Sequence, residues 1–205
     1  MNILQWARKV QAIAQNGVTF AKDPFELDRF QQLQVLVTEI LTRELPITAE
    51  QVQGLWVGDN GYATPKLDVR GAVFDGDKVL LVREVTDGKW TLPGGWVDVG
   101  DAPAFAVERE IREESGYLAK AVKLAALYDR NNPAHGHTPS ILHIYKLFFL
   151  CELTGGTATT SVETDAVEFF PVAALPPLSM GRVTPSEIAR VYEHHLNRGL
   201  PTDFD

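Results

Sequence analysis

The apolar residues of this 205-residue chain change their period once, close to residue 60, and that change governs what the chain can fold into. Before it they recur every three or four positions, as an amphipathic helix requires; after it they alternate or run in short blocks, as strands do. Ile3, Trp6, Val10, Ile13 and Ala14 keep helical spacing up to Asn16-Gly17, where a helix stop is expected. Asp23-Pro24-Phe25-Glu26 offers an N-cap, a first-turn proline and a capping-box acid for a second helix. On it Leu27, Phe30, Leu33, Leu36, Val37, Ile40 and Leu41 make a stripe too wide for a lone surface helix to leave in water. Thr48-Ala49-Glu50-Gln51 opens a third, short helix, expected to run through Trp56. Three helices in so short a segment build only a thin core, so the segment is expected to dock on the rest of the chain or on a second copy.

The turn-rich stretch Asn60-Gly61-Tyr62-Ala63-Thr64-Pro65 marks the boundary, giving a helical domain over residues 1–62 and a second domain over 63–205. In the second, strands are expected at Val69 to Phe74, Val79 to Arg83, Trp90 to Leu92, Val122 to Tyr128 and Ile141 to Glu152. Asp75-Gly76-Asp77 suits a hairpin turn, and Val167 to Phe170 is also strand-like. One helix lies between the third and fourth strands, and Thr184-Pro185-Ser186-Glu187 caps a closing one. The layout is α+β.

Composition removes several function classes. With 45% hydrophobic and 22% charged residues the chain is of ordinary globular make-up, and no stretch approaches the roughly 20 apolar residues that cross a bilayer. The start carries neither a long apolar run nor a cleavage site, so a cytoplasmic protein, neither exported nor membrane-embedded, is expected. The single Cys151 lies in the apolar run Leu147 to Cys151, which excludes an intrachain disulfide and fits a reducing compartment. A formal charge of -8 argues against a dedicated nucleic-acid surface, although bound cations and a few local Lys or Arg could still receive an anionic substrate.

The chemistry-bearing stretch is a glycine turn followed by an acidic helix: Gly94-Gly95-Trp96-Val97-Asp98-Val99-Gly100-Asp101, then Ala102 through Gly116. At about 100° per residue, Glu110, Glu113 and Glu114 fall within an arc of about 100°, beside the apolar Val107 and Ile111. Like charges at this spacing cost a few tenths of a kcal/mol per pair, and a stop at Gly116 puts two of them where the helix dipole disfavours anions. Local stability does not ask for this cluster. On charge pattern alone, a solvated face with Glu108 and Arg112 as an i,i+4 pair is an equal alternative.

The longer pattern decides between them. A glycine, five spacers, an acid, seven spacers, then Arg-Glu-apolar-x-Glu-Glu-x-Gly-apolar reads here Gly95, Asp101, Arg109, Glu110, Ile111, Glu113, Glu114, Gly116 and Tyr117. This resembles the signature of the Nudix hydrolases, with two departures: Asp101 where the family has Glu, and Tyr117 where it has an aliphatic residue. The chain is further similar to a bacterial branch with a helical N-terminal domain that includes CDP-choline and ADP-ribose pyrophosphatases. That likeness rests on Gln11 to Gly17, Gly61 to Lys66, Asp68 to Phe74, Asp87 to Trp90 and Tyr128 to Asn131.

The resemblance implies a mixed β-sheet sandwiched by helices, with Mg2+ or Mn2+ held by Glu110, Glu113 and Glu114 and with the Gly95 carbonyl as a further candidate ligand. Oxygen-rich, carboxylate-rich ligation is what such hard cations prefer. Arg109 is implied to orient those glutamates, and the activity is splitting of a nucleoside diphosphate linked to a second group X. A nucleoside triphosphate or RNA-end hydrolase is the alternative, and a non-catalytic nucleotide sensor a more distant one. In the branch the N-terminal domain helps build a homodimer. The proton acceptor is a box glutamate or, as an outside candidate, Glu163. For substrate contacts the candidates are Arg70 and Arg83, each either a phosphate fork or an ion pair, and Arg130 in the polar loop 129–137. Trp96 either stacks on a base or fills the core, and His135 and His137 are expected to meet solvent or substrate. Asp101 has two competing roles, helix N-cap or partner of Arg109.

Overall fold

The computed structural model describes residues 2–55 and 61–205, which fall into two compact units. One comprises residues 1–65 with 140–143; the other comprises 66–139 with 144–205.

The helical unit contains α1 (Ile3–Phe20), α2 (Pro24–Glu44) and α3 (Ala49–Gly54). The expected stop at Asn16-Gly17 does not occur, and α1 continues to Phe20. A helical glycine costs only about 1 kcal/mol. Here it has a packing reason: a Cβ at position 17 would lie 2.2 Å from the Phe30 ring. The Asn16 side chain is occupied as well, accepting the Ala63 N–H at 2.7 Å. Asp23 caps α2 through Phe25 N at 2.6 Å and Glu26 N at 3.4 Å, without the reciprocal arm of a capping box. Thr48 and Gln51 form a full box on α3. The expected continuation through Trp56 lies outside the described residues.

Ala7, Val37, Leu41 and Val52 form the core of this unit, with Ile141 packed against them. Arg8 adds a bond from Nη1 to the Ser140 carbonyl at 2.7 Å. This capture corrects the expected strand start at Ile141: residues 140–143 belong to the helical unit, and the strand begins at Ile144. Trp6, Ile13, Phe20, Phe25, Val35 and Leu36 remain exposed.

In the second unit, β1 (Lys66–Asp75), β2 (Lys78–Glu84), β3 (Trp90–Thr91), β4 (Tyr117–Asp129), β5 (Ile144–Gly156), β6 (Thr164–Pro171) and β7 (Asp203–Phe204) build a sheet in the order β3-β2-β1-β5-β4-β7, with β6 paired to β2. β1 runs parallel to β5, whereas β2 is antiparallel to β1, β3 and β6. Helix α4 (Pro103–Ser115) covers one face through Ala106, Val107 and Ile111, packed with Val69, Val73 and Leu80. Helix α5 (Pro185–Leu196) covers the other through Ile188 and Val191, packed with Ala72, Leu81 and Phe148. The sheet is therefore sandwiched by helices, as the α+β expectation had it. β7 is too short to leave a periodic trace in the sequence. Among the described residues no helix is long and apolar enough to cross a membrane.

Candidate active site

The loop from Pro93 to Val97 is laid along β1 by backbone bonds: Gly71 N to Pro93 O, Val69 N to Gly95 O and Val97 N to Leu67 O, between 2.9 and 3.2 Å. Gly94 sits where no other residue fits. Its φ is +145°, and a Cβ there would stand 2.0 Å from the Val69 carbonyl. Its N–H donates to Glu114 Oε2 at 2.8 Å, joining the glycine turn to the last turn of α4. Gly116 then ends the helix in the left-handed conformation.

Helix α4 begins at Pro103 with Ala102 as N-cap and no side-chain cap bond, so Asp101 is not the cap. The loop folds back instead, and Asp101 Oδ2 reaches Arg109 Nε at 3.5 Å. Arg109 also meets Asp98 at 3.3 Å, Glu110 at 3.0 Å and Glu113 at 3.2 Å. One guanidinium thus gathers four carboxylates and sets the rotamers of two box glutamates. The expected Glu108 to Arg112 pair is replaced: Glu108 takes Lys120 at 3.0 Å and the Ala121 N–H at 2.9 Å, while Arg112 turns to Glu113 at 3.1 Å.

The three box glutamates occupy different surroundings. Glu114 is buried, and burial pushes its carboxyl up to about 8, against the pull of Arg70 and the Gly94 N–H. Glu110 is raised too, first by burial and then by Glu113 and Glu163, against Arg109. Glu113 faces the two arginines at the surface. Glu84, at the end of β2, is a carboxylate that sequence reasoning missed. It is buried and raised by that burial, with Arg182 and Arg70 opposing and Asp87 and Glu163 adding to it. Its one sequence signal is an acid two positions beyond the apolar run Val79 to Val82, after Arg83.

Among the described residues no three acidic, histidine or cysteine side chains form a ready-made cation cage. The donor chemistry nevertheless fits a hard divalent cation. Glu110 and Glu114 are hindered from ionising by burial and by neighbouring acids, the condition that added positive charge relieves. The Gly95 carbonyl already accepts the Val69 N–H at 2.9 Å, and a carbonyl retains a second lone pair.

The substrate candidates fare differently. Arg70 is buried and bidentate on Asp68, at 3.0 and 2.7 Å, with Nη1 on the Leu92 carbonyl at 3.2 Å. It is therefore an internal brace of the loop leading to Gly94, not an exposed phosphate fork. Asp68 also takes Lys146, a buried lysine missed from the sequence. Burial, with Arg70 adding to it, pushes that ammonium down to about 8 against the pull of Asp68. Arg83 forms an exposed ion pair with Asp165 at 2.6 Å, the plainer of its two readings. Arg130 is buried and donates from Nε to the Gly181 carbonyl at 3.0 Å. Trp96 is 49% exposed, so it does not plug the core. His137 is turned inward, bridging the Met180 carbonyl at 2.9 Å and Glu187 at 2.8 Å, while the partly exposed His135 meets Asp205 at 2.9 Å. They brace loops, contrary to the expected solvent or substrate contacts. Glu163 is exposed on the loop before β6, and its charge is felt at both Glu84 and Glu110.

Comparison with known proteins places this geometry. The profile of the NUDIX domain matches residues 64–191, and that of the UDP-X-like N-terminal oligomerisation domain matches residues 1–56. A Bacillus subtilis protein with a provisional ADP-ribose pyrophosphatase name is 41% identical over 202 residues, covering 98% of this chain and 96% of its own. The crystal structure of a UDP-X diphosphatase aligns at 30% identity with a TM-score of 0.65, covering 99% of this chain and 98% of that one. An ADP-ribose pyrophosphatase from Streptococcus suis aligns at 40% identity with a TM-score of 0.63, covering 69% of this chain and 100% of that one. With the glycine turn, the acidic helix and a whole-length relative in agreement, the chain belongs to the Nudix family and is a hydrolase of its pyrophosphatase class.

Proposed function

We propose that the chain hydrolyses the diphosphate bond of a nucleoside diphosphate linked to X, in the ADP-ribose, UDP-X or CDP-choline class, releasing a nucleoside monophosphate and a phosphorylated X. The observation that carries this is the join of the glycine turn to the acidic helix, Gly94 N–H to Glu114 Oε2 at 2.8 Å, with Arg109 holding Glu110 and Glu113 on that helix. Burial raises both Glu110 and Glu114, with Glu163 adding at Glu110 and Glu84 at Glu114, on a fold whose whole-length relatives bear pyrophosphatase and diphosphatase names.

Glu110, Glu113 and Glu114, with the Gly95 carbonyl, are the proposed ligands of Mg2+ or Mn2+. When bound, the cation supplies charge neutralisation on the diphosphate and makes water a better nucleophile. Arg109 holds Glu110 and Glu113 in orientation, and Asp98 and Asp101 hold Arg109. Glu163 is the proposed acceptor of the proton from the attacking water. Trp96, half-exposed beside the glycine turn, is the proposed stacking surface for a base. The helical region 1–62 is proposed to join two copies through its exposed apolar side chains, a role in line with the oligomerisation profile. A reducing, cytoplasmic setting belongs to the same proposal, in line with a single, buried Cys151.

The test incubates ADP-ribose, UDP-glucose, CDP-choline and a nucleoside triphosphate with Mg2+, Mn2+ or EDTA, and resolves the products by chromatography. Nucleoside monophosphate from one of the diphosphates, abolished by EDTA, is expected. Glu113→Gln should lower turnover about a hundredfold or more at saturating metal, the scale of lost electrostatic stabilisation. Turnover of the triphosphate alone, or a fully active Glu113→Gln, overturns the proposal.

A further inference from the structure

Helix α4 ends against the loop that carries Glu163, and one hydroxyl ties them together. Thr164 is 0% exposed, and its Oγ1 donates to the Glu114 carbonyl at 2.6 Å. That carbonyl lies in the last helical turn, where acceptors lack intrahelical partners. The same Oγ1 accepts the Ser161 N–H at 3.3 Å. Ser161 Oγ in turn accepts the N–H groups of Glu163 and Thr164, each at 3.1 Å, and Ser161 N reaches the Thr164 carbonyl at 3.0 Å. On the other side, the Glu163 carbonyl accepts Val85 N at 2.9 Å, next to the buried Glu84. The Glu163 side chain is exposed, yet its backbone is clamped between the end of α4 and the end of β2.

A hydroxyl that merely closed a helix end would not require this knot around the preceding acid, Glu163. We propose that Thr164 is a positioning residue for the hydrolysis, holding Glu163 in register with the box glutamates. The inference rests on the function proposed above and deepens it, since Thr164 touches no substrate and acts through Glu163. The geometry also suits the substituent changes that separate the roles: valine keeps the shape and loses the hydroxyl, and serine keeps the hydroxyl.

The test measures kcat and KM on the best diphosphate substrate with Mn2+ for the wild type, Thr164→Val, Thr164→Ser, Glu163→Gln and the Thr164→Val/Glu163→Gln double variant, with melting temperatures in parallel. Thr164→Val is expected to lower kcat about tenfold or more with KM within about twofold, as a misplaced catalytic group does. Thr164→Ser should restore most of the turnover, and the double variant should be no slower than Glu163→Gln alone. A Thr164→Val protein with wild-type kcat per folded molecule, or losses that multiply in the double variant, overturns the proposal. Should Thr164→Val fail to fold, Ser161→Ala takes its place in the same cycle, because it frees the Glu163 and Thr164 N–H groups while keeping the Thr164 hydroxyl opposite the Glu114 carbonyl. A wild type inert on every diphosphate refutes the proposed function and this role with it, whereas an active wild type with multiplying losses refutes this role alone.

Discussion

Replacing Glu114 with Gln tests how the fold stores the conflict at its acidic site. In the metal-free protein the Glu114 carboxyl is pushed from 4.5 to about 8, chiefly by burial. Between those two pH values the folded chain holds a proton that the unfolded chain releases. The associated stability is therefore fully present below about pH 4.5 and is lost as pH rises through about 8. At about 1.4 kcal/mol per tenfold change in proton affinity, the upper bound of that loss is about 5 kcal/mol. Relaxation and water penetration should leave about half of it. For a chain of this size that corresponds to a fall of about 5–10 °C in melting temperature between pH 5 and 9. Glu110 and Glu84 are displaced in the same direction and add to the fall. Glu114→Gln keeps an acceptor for the Gly94 N–H and removes the titration. Scanning calorimetry in EDTA should show a clearly flatter pH profile for the variant and a higher melting temperature than wild type at pH 8. Added Mn2+ should recover the wild type at pH 8 much more than the variant. A wild type with no fall, or a variant whose fall is equally steep, would refute the reasoning.

The other predictions follow from single contacts. Asp101→Asn and Asp101→Ala should both keep the melting temperature within about 2 °C and both lose activity several-fold, because Asp101 serves Arg109 and makes no cap bond; an early-melting Ala variant with a fully active Asn variant contradicts this. Leu36 is 52% exposed on the apolar side of the helical unit. Light scattering is expected to give a homodimer, and Leu36→Asp should shift it toward monomer at micromolar concentration; a wild-type monomer removes the assembly proposal.

The sequence determined most of what depends on near neighbours along the chain, the stop read at Asn16-Gly17 being overridden where Gly17 packs under the Phe30 ring. The caps at Asp23, Thr48 and Thr184, the stop at Gly116 and the spacing from Gly95 to Glu114 are all local patterns, and each is found where its spacing put it. Even Asp101 was legible as one of two roles, with only the choice left open. Tertiary structure decided which charges are buried and what they meet. Asp68 and Lys146 are 78 positions apart and pair only because β1 lies parallel to β5 in that register. Arg70, read as either a phosphate fork or an ion pair, is turned inward as an ion pair because Asp68 and the Leu92 carbonyl lie within its reach. Glu84 gains its importance from β2 ending beside Arg182 and the Glu163 loop, contacts contributed by segments far away in sequence. A helix cap is a matter of a few dihedral angles, whereas the desolvation that moves the pKa of Glu114 depends on how a whole layer packs over it, and no spacing rule along one helix contains that information.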